Sequence, residues 1–137
     1  MERTVLDRYI TYTYGAKGEF MWEKYPTFAV YRHQNNKKWF AVIMEIPKSK
    51  IGFADDGLVT VINLKCDPLL IGSLLLENGI HKGYHMNKNY WITVRLDGSV
   101  DEEQIKWLLD ISFDLTITKK RKNKGDRALS QIKSTEV

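Results

Sequence analysis

The sequence predicts an α+β fold of two layers, a mostly antiparallel sheet with helices packed on one face and none on the other. Three observations predict it. Helical apolar patterns stand near both ends of the chain, and runs of β-branched and aromatic residues joined by short polar turns fill the middle. The length of 137 residues with 43% hydrophobic content suits one core rather than two.

Residues 3–14 carry Val5, Leu6, Tyr9, Ile10 and Thr13 at helical spacing, with Glu2 ahead and Gly15 behind as a stop. From Glu19 to Ile46 the pattern is that of strands, interrupted at Pro26 and turned by Gln34-Asn35-Asn36-Lys37. Pro47 closes the third of them. After the loop through Ala54-Asp55-Asp56-Gly57, residues 58–66 form another strand. Asp67-Pro68 then supplies a capping side chain and a proline suited to the first helical position; that helix is predicted to run to about Asn78 and stop at Gly79. The polar stretch from Gly79 leads into a strand over 90–96 that Asp97-Gly98 ends. Asp101, Glu102 and Glu103 open the last helix where its dipole favours acids, and Ile105, Leu108, Leu109 and Phe113 give it a buried stripe. The expected organisation is one domain over 1–118 and a disordered, basic tail over 119–137.

Charge, cysteine and hydropathy restrict the function classes. The net charge of +4 tempts toward nucleic acid, yet the tail from Lys119 holds seven basic residues against two acids, a net of +5, so the remainder stands at −1. Cys66 is the single cysteine and cannot close an internal disulfide, and the start of the chain lacks a signal-peptide pattern; the protein is expected in the cytoplasm. Its longest apolar runs, such as 69–76, fall well short of the roughly 18 residues of a membrane span.

Alternation sorts the strand residues into faces. Tyr90, Ile92, Val94 and Leu96 form one row, with Trp91, Thr93 and Arg95 opposite. Ile62, Leu64 and Cys66 oppose Asn63 and Lys65. In the third strand Phe40, Val42, Met44 and Ile46 oppose Trp39, Ala41, Ile43 and Glu45. With helices over the more apolar rows, the open face carries Trp39, Trp91, Asn63, Lys65, Thr93 and Arg95. Two readings follow: aromatics that stack unpaired bases beside cations that meet phosphates, or tryptophans that pack on one another, on the 48–57 loop or on a second subunit under the stems of lysine and arginine.

Several separated motifs resemble the MmcQ/YjbR family of small bacterial proteins. They are "INLKCDP" (Ile62 to Pro68), "GIHKGYHMNKNYWITVRLDG" (Gly79 to Gly98), "DISFDL" (Asp110 to Leu115) and "KKWFAVIM" (Lys37 to Met44). The resemblance covers the first helix through about Leu115 and implies a fold like that of the frataxin homologue CyaY. It also implies binding of DNA through a double wing of hairpins. Position by position the family motif falls on Lys65, Cys66, His85, Asn87, Lys88, Trp91 and Ser112; a proline frequent before the histidine is replaced here at Lys82-Gly83. The binding candidates are therefore Lys65, His85, Asn87, Lys88, Trp91, Arg95 and Trp39.

Enzyme chemistry is not expected. Cys66 sits on an apolar row, where burial raises a thiol pKa and leaves it inert. One cysteine and three histidines converge too weakly for a metal site, Gly83 interrupts the His81–His85 spacing, and no glycine-rich phosphate loop is present, so no cofactor is expected either. The partner expected is DNA or another nucleic acid, with a protein or a small anionic or aromatic ligand as the alternative.

Overall fold

Five short strands pair in the order β1-β2-β3-β5-β4, every pairing antiparallel, and three helices cover one face. The computed structural model describes residues 1–117. The disorder expected for 119–137 lies outside them. In chain order the elements are α1 (Arg3–Tyr14), β1 (Ala29–Arg32), β2 (Trp39–Pro47), a single 3-10 turn (Lys48–Ile51), β3 (Leu58–Lys65), α2 (Pro68–Leu74), β4 (Ile80–Lys82), β5 (Trp91–Arg95) and α3 (Glu102–Thr116). The expected α+β sandwich is the observed one.

Local chemistry explains most boundaries. Gly15 ends α1 in the left-handed region at φ 70° and returns its N–H to the Thr11 carbonyl. Asp67 caps α2 through its side chain, which accepts from the Leu69 N–H at 2.9 Å, and Pro68 takes the first position, where no N–H is missed. Acids occupy the first turn of α3 as predicted, although Asp101 makes no side-chain cap. The β1–β2 hairpin turns over 34–37 with Lys37 at φ 61°.

Four expectations are corrected. The segment from Glu19 to Phe28 is no strand: it touches the sheet through one bridge, Glu19 to Val30, and lays Trp22 and Phe28 over the face away from the helices. The helix α2 ends at Leu74, well before Asn78, and the freed residues feed the three-residue strand β4, which is hidden in the polar approach when the sequence is read alone. Tyr90 stays outside β5 and is exposed, as are Val5 and Thr13 of α1. In β2, Phe40 is an extra residue: the register passes from Tyr31↔Ala41 to Arg32↔Trp39, a β-bulge. Phe40 therefore joins Ala41 and Ile43 under the helices, while Val42, Met44 and Ile46 turn to the opposite face.

The main core lies between sheet and helices, with Leu6 and Ile10 from α1, Ile71 and Leu74 from α2 and Ile105, Leu108 and Leu109 from α3 meeting Ile43, Ile62, Leu64, Ile92 and Val94. One polar constellation is embedded in it. The Ser112 hydroxyl donates to the Phe40 carbonyl and accepts from the Lys65 N–H at 2.9 Å, completing the bonding that the β2–β3 ladder abandons beyond Ala41↔Leu64. A back-bond to the fourth preceding carbonyl is made in the same helix by Thr116, onto Ser112 itself at 2.7 Å. Thr116 spends its proton on helix carbonyls and so accepts from His33 Nε2 at 2.8 Å.

Burial holds the His33 pKa below its ordinary 6.5, against an opposing hydrogen bond to Phe113. His81 is lowered as well, by burial first and by Arg95 second, with Asp97 opposing. Both rings are thus neutral in the fold and bind protons more readily when unfolded. Stability from these groups is full above about pH 6.5 and declines as pH falls through the lowered native values. Urea midpoints taken between pH 5 and 7.5 will show this decline, and His33→Gln will flatten part of it.

Candidate ligand-binding face

The strand register decides which side chains share the surface away from the helices. Lys65 pairs with Trp91, Asn63 with Thr93 and Val61 with Arg95, and on the far edge His81 pairs with Thr93. Paired residues of an antiparallel ladder point the same way. Trp91, Lys65 and Arg95 therefore leave the helical layer together, as alternation predicts. The face is not bare, however. Val30, Val42, Met44, Ile46, Val59 and Val61 form a second apolar cluster on it, covered by Trp22, Phe28, Trp39, Ile51 and Tyr84.

A ring of hydrogen bonds fixes the 83–90 loop onto this face. Thr93 donates to Asn63 Oδ1 at 2.5 Å and accepts from the Tyr84 N–H at 2.8 Å, and Asn63 Nδ2 donates to the Tyr84 carbonyl at 2.8 Å. Asn63 and Thr93 are buried and spend these groups inside the protein. Within the loop, Asn87 builds an Asx turn by accepting from the Asn89 N–H at 2.9 Å, and its carbonyl receives the N–H groups of Tyr90 and Trp91. Lys88 Nζ donates to the Gly83 carbonyl at 3.2 Å. His85 is exposed, sits at φ 57° and lies against the Tyr84 ring with centroids 4.1 Å apart.

Two adjoining cavities result. An aromatic groove of about 360 Å³ runs between Trp22, Tyr25, Phe28 and Trp39 on one side and Tyr84, His85 and Met86 on the other, over a floor of Val42, Met44 and Asn63. Its rings brace one another: Trp22 meets Trp39 edge-on at 5.7 Å, and Tyr25 stacks on Phe28 at 4.9 Å. Beside it a basic pocket of about 280 Å³ is lined by Lys50, Ile51, His81, Lys82, Gly83, Tyr84 and Lys88. Tyr84 walls both. Lys50 and Lys82 are exposed and have no ion-pair partner among the described residues. The Nε2 of His81 is buried without a hydrogen-bond partner.

Of the sequence candidates, Trp39 and His85 line the groove and Lys88 lines the basic pocket. Lys65 and Trp91 lie side by side on the same face outside both cavities, and Asn87 serves the loop turn. Arg95 faces the right way, but it is only 9% exposed, bonded to Asn78 at 2.8 Å, paired with Asp97 at 3.4 Å and capped by the Phe53 ring at 4.9 Å, so its charge is already engaged. Phe53 belongs to the 48–57 loop that the packing reading invoked. Sequence reasoning missed Trp22, Tyr25, Lys50, His81, Lys82 and Tyr84. Adjacency to the motif residues was a usable signal for His81, Lys82 and Tyr84; for the others only tertiary folding brings them near.

A larger cavity of about 600 Å³ opens elsewhere, between α1 and the 17–20 segment. Three of its polar side chains are engaged with the protein, Tyr31 donating to Asp7 at 2.5 Å and Arg3 to the Thr27 carbonyl, while Arg8 and Lys17 on its wall are exposed. Burial raises the Cys66 thiol, which keeps it protonated and unreactive. No cluster of three metal-ligating side chains exists among the described residues, and none of their helices is long and apolar enough to cross a membrane.

Comparison with known proteins agrees with this architecture. YyaQ of Bacillus subtilis (strain 168) is 36% identical over 116 residues, which cover 85% of this chain and 98% of that protein. YjbR of Escherichia coli (strain K12) is 35% identical over 57 residues, 41% of this chain and 48% of its own length. A crystal structure of a Pseudomonas syringae protein superposes with a TM-score of 0.84 at 45% identity, covering 85% of this chain and all of that one. The Deinococcus radiodurans protein DR2400, of domain DUF419, gives 0.56 at 28% identity over 82% of this chain and 75% of its own. The YjbR family pattern itself matches residues 12–115, from the end of α1 through nearly all of α3, and the chain belongs to the YjbR family.

Proposed function

We propose that this protein is a non-enzymatic nucleic-acid-binding module of the cytoplasm that meets its ligand on the sheet face away from the helices. One observation carries the reading: an aromatic groove opens directly beside a lysine pocket, with Tyr84 common to both. Aromatic faces stack bases whatever their identity, and lysines beside them neutralise the phosphates that connect those bases. Lys65 and Trp91 extend the same pairing of cation and ring along the sheet.

The test is a salt titration of fluorescent DNA and RNA binding, with the full chain and with a chain ending at Thr118 that keeps every described core residue. Binding by both forms is expected, falling steeply with salt. Replacing Lys50 and Lys88 by glutamine should lower the log–log salt slope by about 0.7 for each single-strand phosphate that is no longer neutralised. A truncated chain that binds neither nucleic acid at low salt would reduce the activity to the tail. The recessed shape of the groove favours a second reading, a small anionic aromatic ligand; retention of such a ligand without any binding of strands would select it.

A further inference from the structure

We propose that this face takes one unpaired nucleotide, its base inserted in the aromatic groove and its phosphate held in the adjoining lysine pocket, an inference that rests on the nucleic-acid reading above and specifies its ligand. The groove is recessed rather than flat: its floor residues Val42, Met44 and Asn63 are all at most 3% exposed, and the rings of Trp22, Trp39 and Tyr84 stand around them. A base paired in a duplex presents only its edge to a protein, whereas an unpaired base offers both faces and can enter such a slot. Apolar walls with few polar groups are the ordinary lining of a small-molecule site.

The floor also says what the site does not read. Asn63 is the one amide there, and both ends of it are committed, Nδ2 to the Tyr84 carbonyl and Oδ1 to Thr93. With that amide engaged, the rings that make up most of the lining recognise the base chiefly by stacking, which discriminates weakly among the four bases.

On the other side of Tyr84, Lys50 has no ion-pair partner among the described residues and Lys88 donates to the Gly83 carbonyl, whereas Lys82, paired with Ile92, borders the pocket with its side chain directed to the helical side. His81 brings to the same pocket a buried Nε2 that the protein leaves without a hydrogen bond. An oxyanion is the group that satisfies the two ammonium ions of Lys50 and Lys88 and an unpartnered imidazole nitrogen together. The nucleotide can be free, or it can be a residue of a single strand; the chemistry of the site is the same.

The experiment uses the full chain, tryptophan quenching and amide chemical shifts. The probes are adenosine 5′-monophosphate, adenosine, ribose 5-phosphate, a single-stranded oligonucleotide of about ten residues, its abasic analogue and its duplex. The mononucleotide and the single strand should bind and quench. Adenosine, ribose 5-phosphate and the abasic strand should each bind roughly ten-fold more weakly or worse, since each lacks one half of the ligand. Lys50→Gln should weaken the mononucleotide and leave adenosine unchanged, and His85→Gly, at a position whose backbone already suits glycine, should weaken both. Shifts should concentrate at 81–88 and around Trp22 and Trp39. An abasic strand or a duplex that binds as tightly as the single strand would overturn the inference and leave nucleic-acid binding standing. Binding of the mononucleotide with none of any strand would support this site and overturn the broader reading, and failure of every probe would overturn both.

Discussion

Gly83→Ala should destabilise the protein by about 2–3 kcal/mol and abolish the nucleotide binding proposed for the non-helical face. A Cβ at position 83 would stand 2.8 Å from the Trp91 carbonyl oxygen and 2.9 Å from the Trp91 Cβ. Neither atom is the end of a flexible side chain. Relief requires the 83–90 loop to lift from β5, which stretches the Gly83 N–H to Trp91 carbonyl bond, now 3.2 Å, and strains the Thr93–Tyr84–Asn63 ring. Urea denaturation gives the stability change, and the Thr93 and Tyr84 amide resonances report the loop. A variant of wild-type stability that binds as before would show that the loop is not held by this close approach. Gly72→Ala is the matched control, since a Cβ there meets nothing within 4 Å.

Ser112→Ala should cost still more, about 2–5 kcal/mol, although it removes a single atom. The hydroxyl answers two buried backbone groups at once, the Phe40 carbonyl and the Lys65 N–H, and its residue is wholly buried. Each group left without a partner costs roughly 1–3 kcal/mol. The effect should be local as well as global. Phe40 is the bulged residue of β2, so loss of its anchor should loosen the bulge and speed amide exchange at Lys65 before the rest of β3. An unchanged urea midpoint in Ser112→Ala would mean that water or another group replaces the hydroxyl. Ser73→Ala, exposed on α2, provides the contrast.

These two positions show where the sequence is readable and where it is not. Periodicity locates α1 and α3 because each buries one clear stripe, as Leu6 with Ile10 does, and β3 is located by its β-branched run between Gly57 and Asp67-Pro68 although both of its rows are buried. Periodicity fails at β2, where both rows are apolar because both faces are covered, and where one inserted residue at Phe40 exchanges the faces without any change in composition. The helix after Asp67 reads too long because Leu75 and Leu76 continue its apolar run, yet the chain needs those residues to reach β4. The 19–28 segment has the aromatic content of a strand and serves instead as a cover for the second face.

The same division applies to the candidate site. His85 and Lys88 are legible because they lie in one contiguous motif; Trp39 faces the groove as expected, but it does so across the Phe40 bulge, on the face opposite to Ala41 and Ile43 with which alternation grouped it. Lys50 and Trp22 come from segments distant in sequence, and nothing local in either marks it as a neighbour of Tyr84. Arg95 reads as a free cation since alternation gives direction and not company; Asp97 and Asn78 are visible only once the turns are folded.

The two margins of the sheet have a consequence for self-association. At β1 the outer margin is occupied by the Glu19 bridge to Val30, reinforced by two bonds of 2.7 Å between the Arg32 guanidinium and the Glu19 carboxylate. At β4 the exposed ladder is three residues long and gives way at once to Gly83 and the left-handed His85. Neither margin offers the long, flat run of free amides and carbonyls onto which another chain could zip. Copies of this protein can meet through their side chains, but the sheet itself is closed to extension into a fibre.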